Sequence, residues 1–369
     1  MHVLVTADTV GGVWTYAREL VTGLVRRGNR VTLVSFGNIP TVPQAEWMEG
    51  LRGLEFHPTA FRLEWMQEAP RDIVASTKYL QTVINETEPD ILHLNQFCYG
   101  ALPVSIPKLV VAHSDVVSWC RAVKGRDPEV DEWTVWYRHT VAQGLSEATA
   151  VVAPTHWMLD QITHSFRRLP ETSVIYNGRT PALFNPHVSK EDHALSVGRL
   201  WDGGKQASLL TKIEPPMPVY IVGSEEHPDE AIRADALIED EKPGIHLKGS
   251  RSEGQLRQLY SRASVYVVTS RYEPFGLAPL EAALSRCAIL ANDIPSLREV
   301  WGDAAMYFRQ NDAESLREGL ERLHADRELR LTYANLAYNR ARQRFTADRM
   351  VEDYVELYKT LVSARAIAA

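Results

Sequence analysis

Short apolar runs alternate along this chain with longer stretches whose apolar positions recur at helical spacing. In the first half, Val3–Thr6, Val31–Ser35, Ile91–Leu94, Leu109–Ala112 and Ala150–Ala153 are nearly continuous apolar runs, the pattern of strands buried on both faces. Between the first two lies Val13–Arg27, apolar on one helical face and followed by Gly28 as a stop signal. A second series follows at Ala194–Val197, Val219–Val222, Ile245–Leu247, Val265–Thr269, Ala288–Leu290 and Ala305–Phe308. Strand and helix in strict alternation predict parallel sheets covered by helices. The segment from Arg179-Thr180-Pro181 to Asn185-Pro186-His187 is rich in turn formers and reads as a linker. The expected organisation is therefore α/β with two doubly wound, Rossmann-like domains, residues 1–185 and 186–346. An amphipathic helix over 347–369 follows, expected to pack back toward the first domain.

Composition narrows the class without deciding it. The length of 369 residues suits two domains, and 45% apolar with 24% charged residues is ordinary for a globular chain. A net charge of −7 gives no basic surface excess, so nucleic acid is not an expected partner. Cys98, Cys120 and Cys287 are too widely spaced for a disulfide framework or a Cys-x-x-Cys metal site, which points to a reducing compartment. The chain opens directly on a strand, with no leader pattern, and no apolar run approaches the ~18 residues of a membrane span. A cytoplasmic protein is expected, with a peripheral membrane contact left open.

Chemistry concentrates at strand ends. Glu273-Pro274-Phe275-Gly276-Leu277-Ala278-Pro279-Leu280-Glu281 sits between the apolar run Ser264–Ser270 and a helical pattern from Leu280. At such a strand-to-helix turn the first backbone N–H groups of the helix are free and attract anions, while carboxylates accept from hydroxyls. Together these suit a ligand that is both polyhydroxylated and phosphorylated. Glu281 alone fits equally a carboxylate complementing the helix dipole. A second turn, Gly198-Arg199-Leu200-Trp201-Asp202-Gly203-Gly204-Lys205, places two cations six positions apart just after a strand. Fixed cations there would stabilise the charge developing on a departing diphosphate. In the first βα turn, Gly11-Gly12 permits close backbone approach to a ligand at a helix N-terminus, or simply a tight turn. It is not the G-x-G-x-x-G fingerprint, and no P-loop lysine follows. His113, in Ala112-His113-Ser114-Asp115, stands at another strand end. No Asp-x-Asp and no clustered His/Cys ligand set is present, so no metal is expected.

The string Glu273–Glu281 resembles the E-x7-E signature of the GT4 retaining glycosyltransferases, which have the GT-B fold. Arg199 and Lys205 resemble the family's G-R-x-x-x-x-K element, and Gly11-Gly12 its first Gly-Gly turn. Val174–Gly178 resembles its I-x-N-G element, but Arg179 and Thr180 depart from the apolar residue and Asp that commonly follow. The strand-Gly element around Gly223 lacks its second glycine, and Ser296–Glu299 matches a less specific position. The resemblance implies two Rossmann-like domains facing a central cleft, with the acceptor on the first and the nucleotide-sugar donor on the second. It implies that Arg199 and Lys205 hold the diphosphate and that Glu281 accepts from the ribose. It also implies that Glu273 and His113 contact the reacting sugar, and that the backbone of Phe275, Gly276 and Leu277 holds sugar and phosphate. Gly198 completes the diphosphate turn, and Gly249, Ser250 and Arg251 stand where the nucleobase is met. Asp115 is placed either to orient His113 or to touch acceptor. Trp14 and Trp119, beside these turns, are candidates for stacking on a sugar ring of the acceptor.

The activity so implied is transfer, with retention and without a metal or other cofactor, of a hexose from a UDP- or GDP-sugar to a carbohydrate, glycolipid or small-molecule acceptor. The alternatives are a GT-B phosphorylase, a nucleotide-sugar epimerase, or a non-catalytic nucleotide-sugar-binding protein. Neither the sugar nor the oligomeric state is specified.

Overall fold

The structure is a computed structural model and describes residues 1–226 and 242–368. It divides into two compact units, Met1–Arg121 with Arg126–Gly178 and Ala347–Ala369, and Ala122–Gly125 with Arg179–Thr346. The turn-rich segment expected as a linker near residue 185 lies wholly in the second unit. Arg179 and Phe184 are buried there, and Pro181–Leu183 forms one turn of 3-10 helix.

The first unit runs β1 (His2–Asp8), α1 (Gly12–Arg26), β2 (Arg30–Phe36), α2 (Val42–Ala45), β3 (Leu54–Pro58), α3 (Ala69–Thr87), β4 (Ile91–Leu94), β5 (Lys108–Val111), α4 (Val116–Lys124), α5 (Glu132–Glu147), β6 (Ala150–Ala153), α6 (His156–Ser165) and β7 (Glu171–Val174). Its seven strands pair in parallel in the order β3-β2-β1-β4-β5-β6-β7. Every residue of β1, β4, β5 and β6 is buried, as two-sided packing requires. The strands that the apolar pattern missed are β3 and β7, whose side chains are mostly half-buried or exposed. They close the two edges of the sheet, where one neighbour and one layer suffice.

The second unit runs β8 (Glu191–Val197), β9 (Val219–Val222), β10 (Ile245–Leu247), α7 (Glu253–Arg262), β11 (Ala263–Val268), α8 (Leu277–Leu284), β12 (Ala288–Asn292), α9 (Pro295–Trp301), β13 (Met306–Phe308), α10 (Ala313–Ala325) and α11 (Arg327–Arg344). Its six strands are also parallel, in the order β10-β9-β8-β11-β12-β13. Helix starts follow capping chemistry. Ser252 and Gln255 form a reciprocal capping box at α7, and Asp312 and Asp326 accept from Ser315 N–H and Leu329 N–H at α10 and α11.

The last helix, α12 (Ala347–Ala368), belongs to the first unit. It packs on α1, where Gly23 leaves room for Val351: a Cβ on Gly23 would lie 2.5 Å from Val351 Cγ2. Met350, Val351, Tyr354 and Tyr358 are all fully buried. Each full burial of a Val or Met side chain stabilises by about 1.5–3 kcal/mol, so α12 is integral to this unit. Among the described residues no helix is long and apolar enough to cross a membrane.

In both sheets the strand order reverses once, between β1 and β4 and between β8 and β11. Crossovers leave these positions in opposite directions, which opens a crevice at the carboxyl strand ends where ligands of open α/β sheets bind.

Candidate active site

The second unit carries the denser constellation, and it stands at the β8/β11 switch point. Lys205, in the turn after β8, and Glu273, in the turn after β11, meet with Nζ 2.6 Å from Oε2. Ser270 Oγ–H donates to the same carboxylate oxygen at 2.8 Å. The Glu273 side chain is only 8% exposed, against 23% for Lys205. The two are 68 positions apart in sequence and are joined by adjacent parallel strands. Their backbone is tied as well: Thr269 Oγ1–H donates to Lys205 O at 2.8 Å, and Asn292 Nδ2–H donates to Ser270 O at 3.1 Å. A small pocket here is lined by Ser196, Gly198, Lys205, Thr269, Ser270 and Glu273.

Arg199 is held differently. Its Nη2–H donates to Asp202 Oδ2 at 2.7 Å while the side chain stays 40% exposed, with the guanidinium carbon 5.1 Å from the Trp201 ring centroid. Asp202 is buried, and its other oxygen accepts from Gly204 N–H at 2.8 Å, which shapes the turn that delivers Lys205. Both cations are thus paired with buried carboxylates, and Arg199 is the more exposed of the two.

Gly276 is the N-cap of α8 with φ of 90°, a conformation in which L side chains are strained. A Cβ there would lie 2.7 Å from Pro279 Cγ and 3.2 Å from Glu273 Cγ. Only glycine lets the chain turn against Glu273 and begin a helix, with its free N–H groups on the following residues. Phe275 is buried and packs edge-on against Phe345, ring centroids 5.4 Å apart. Its side chain is therefore a packing group, and only the backbone of this turn remains for a ligand. One helical turn into α8, Glu281 is 13% exposed, with Oε1 2.9 Å from Nε of the buried Arg179. After β10, Gly249 adopts φ of 60° and leads to the exposed Ser250 and Arg251.

In the first unit, Gly11 has φ of 87° and caps α1 without a side-chain bond, so the exposed pair Gly11-Gly12 opens the helix with bare backbone. His113 follows β5. Its Nε2 lies 2.7 Å from Asn95 Oδ1, and Asn95 Nδ2–H donates to Thr6 O. That second bond orients the amide, so His113 carries its proton on Nε2. Beneath it, His93 Nε2 lies 3.1 Å from Tyr16 OH and Nδ1 lies 2.7 Å from Tyr358 OH. Burial lowers both imidazoles to about 3 (for His93 with the added effect of neighbouring His113), so both are neutral near pH 7. Asn95, Tyr16, Ser270 and Asp202 were not legible as site residues. Their types are common everywhere; Ser270 and Asp202 stand three residues from Glu273 and Arg199, and only the fold brings Asn95 and Tyr16 beside His113.

Two expected roles are corrected. Asp115 neither orients His113 nor presents itself to a ligand. It is buried, and its carboxylate accepts from Val117 N–H, Ser118 N–H and Ser118 Oγ–H at the start of α4. Trp14 is a packing residue rather than a platform for acceptor. It is 7% exposed, donates Nε1–H to Gln44 O at 3.0 Å and packs edge-on against Trp47. Trp119 is half-buried on α4. Among the described residues no group of three or more His, Cys, Asp or Glu side chains could hold a metal ion. All three cysteines are buried free thiols.

Comparison with known proteins matches both halves. Residues 185–340 fit the family model described as Glycosyl transferases group 1, and residues 10–182 fit that of Glycosyltransferase Family 4. The O-antigen chain mannosyltransferase RfbU of Salmonella typhimurium is 24% identical over 196 residues, which are 51% of this chain and 55% of that protein. This chain thus spans about half the length of that relative. Among solved structures, the sucrose-phosphate synthase of Thermosynechococcus elongatus superposes with a TM-score of 0.77 at 16% identity, covering 99% of this chain and 100% of the other. HepE of Anabaena, crystallised with UDP-glucose, gives a TM-score of 0.73 at 16% identity, covering 98% and 100%. Two parallel sheets with flanking helices match these GT-B structures in fold. Since the two family models between them take up nearly the whole of both units, the chain belongs to the glycosyl transferases of group 1 and is a glycosyltransferase of the GT-B fold.

Proposed function

We propose that this glycosyltransferase moves a hexose, with retention and without a metal, from a UDP- or GDP-sugar to a carbohydrate or glycoconjugate acceptor. The observation that carries the reading is the Lys205–Glu273 pair at the β8/β11 switch point. A diphosphate needs no protein nucleophile to depart; it needs positive charge where its own negative charge grows. Lys205 and the exposed Arg199 supply that charge. The free N–H groups at the start of α8 face the same turn and suit phosphate oxygens. Glu273 binds hydroxyls of the transferred sugar and supports its electron-poor ring in the transition state, and Glu281 accepts from the ribose.

In the step itself the bond from the anomeric carbon to the phosphate oxygen breaks, and the diphosphate leaves with the electron pair. The acceptor oxygen bonds to the anomeric carbon on the same face, and its proton passes to the departing phosphate oxygen. Neutral His113 has no proton to spare as an acid, so its part is to hydrogen-bond the sugar. Gly11 and Gly12 are assigned to close backbone approach, and Gly198, Gly249, Ser250 and Arg251 to the nucleotide. A nucleotide-sugar donor and a hexose as the group moved are supported by HepE, crystallised with UDP-glucose, and by RfbU, a mannosyltransferase. The proposed setting is cytoplasmic.

Turnover is the test. UDP-glucose, UDP-N-acetylglucosamine and GDP-mannose, each with a panel of sugar and glycolipid acceptors, should give one productive pair, unaffected by EDTA. NMR of early product should show the donor's anomeric configuration. An inverted product, or activity that EDTA abolishes and Mg2+ restores, overturns the mechanism.

A further inference from the structure

Arg179 is among the largest fully buried side chains in the structure, at 1% exposure. Burying a guanidinium is costly unless it is paired and hydrogen-bonded. Here it has two carboxylates: Nε lies 2.9 Å from Glu281 Oε1 and Nη2–H donates to Glu253 Oε1 at 3.2 Å. Its guanidinium carbon also lies 5.3 Å from the Phe184 ring centroid. The backbone is fixed too, since Arg179 N–H donates to Phe345 O at 3.0 Å and Arg179 bridges in parallel to Thr346. Glu253 opens α7, and Arg257, one turn on, approaches it at 3.4 Å. Tyr260, on the same helix, is buried with Glu281 beside its phenol; burial first and that carboxylate second hold the phenol well above its ordinary range. One arginine thus joins the start of α7, where Glu253 and Arg257 are each 35% exposed, to the middle of α8, where Glu281 is 13% exposed.

We propose that Arg179 is a positioning residue of the nucleotide site, fixing the Glu281 carboxylate that receives the ribose hydroxyls. The inference rests on the assignment of Glu281 to the ribose. An arginine keeps its proton under all ordinary conditions, so the carboxylate against it stays an anion, the acceptor a hydroxyl pair requires. A carboxylate has about four lone-pair sites, so an ion pair with Nε does not exhaust it. The fork of the guanidinium sets direction as well as charge, because it is held from the other side by Glu253.

The test compares hydroxyl recognition in place of overall affinity, which any structural damage would lower. Calorimetry would measure UDP and GDP and their 2′-deoxy counterparts against wild type, Arg179→Lys, Arg179→Gln, Glu253→Gln and Glu281→Gln. A hydrogen bond to a charged group is worth about tenfold or more in affinity, so wild type should prefer the ribonucleotide by that factor. Arg179→Lys retains charge and should fold; it should lose most of the preference, as should Glu281→Gln, whereas Glu253→Gln, whose amide oxygen can still accept from Nη2–H, should keep it. If Glu281→Gln loses the preference and both Arg179 variants keep it, the inference about Arg179 fails alone. If wild type and Glu281→Gln show the same preference, or neither diphosphate binds wild type, the assignment of Glu281 fails and the inference goes with it.

Discussion

Replacing Lys205 by Met removes one charge from the site and almost no volume from the stem. At 2.6 Å the attraction between Lys205 and Glu273 is on the order of 6 kcal/mol at an effective dielectric of about 20. Much of that offsets the cost of taking both groups out of water. The informative quantity is what remains when one partner goes. Breaking a buried pair typically costs about 3–5 kcal/mol, because the other charge is left behind; Glu273 is the more buried partner, so the effect belongs in that range, at its lower end because Lys205 is partly in water. The catalytic effect is separate. Loss of one preorganised electrostatic contact to a transition state costs about 10²–10³ in kcat, or 2.7–4 kcal/mol. Urea unfolding and steady-state kinetics on Lys205→Met, Glu273→Gln and the double variant separate the two. The double variant should regain much of the stability lost by Lys205→Met, since no unpaired carboxylate remains, yet regain none of the rate. Lys205→Met that folds and retains kcat and KM near wild type would refute the role of this cation.

Gly276→Ala should destabilise by roughly 1–3 kcal/mol from its backbone conformation alone and should impair donor binding, because the new Cβ presses on Glu273; an unchanged urea midpoint would show the turn to be adaptable. His93 and His113 titrate near 3 in the folded chain and near 6.5 when unfolded, so the unfolded state binds more protons between those values. Stability from these two groups is complete above pH 6.5 and falls with pH by up to about 2.7 kcal/mol per unit for the pair; His113→Asn should lower the slope measured by urea unfolding from pH 5.5 to 4.5 by about 1.4 kcal/mol per unit, and an identical slope would show that His113 is not excluded from protonation. Tyr358→Phe leaves His93 Nδ1 without its hydroxyl partner and should cost about 1–3 kcal/mol in the same assay, with no change meaning that water replaces the phenol.

The central strands were legible because burial on both faces leaves only apolar residues at those positions, so Val3–Thr6 and Val265–Thr269 announce themselves within a residue or two. Leu54–Pro58 and Glu171–Val174 carry Glu, His, Thr and Ser because an edge strand is half solvated, and that composition is indistinguishable from loop. The turns with Gly11-Gly12, Arg199 to Lys205 and Glu273 to Glu281 stood out because they gather glycines, cations and carboxylates just after apolar runs, and the structure places each of them at a strand end. What the chain order conceals is which of these turns meet. Lys205 and Glu273 touch because β8 and β11 are neighbours at the reversal, a fact of topology and not of spacing. The misread residues fail for a related reason. An aspartate three residues before Ser118 and a tryptophan after a glycine pair are as apt for capping and packing as for binding, and burial decided both.

Arg179 shows the limit of the argument from residue type most clearly. A cation in a turn-rich segment between two domains is ordinarily solvated, and its sequence neighbours Thr180 and Pro181 support that reading. The structure buries it because Glu253 and Glu281, 74 and 102 positions later, converge on the same point from two helices. Replacing such a triad by apolar residues of matched volume is often neutral or stabilising in other proteins, so folding alone gives weak reason to keep it. A carboxylate that must remain charged and correctly aimed at a polyhydroxylated ligand is a stronger reason, since no apolar substitute can perform that task. A matched apolar triad at Arg179, Glu253 and Glu281 should accordingly leave the urea midpoint near wild type while abolishing the preference for ribonucleotide over deoxyribonucleotide. If that variant unfolds instead, the triad is there for the fold, and the ribose preference must be judged from the single substitutions.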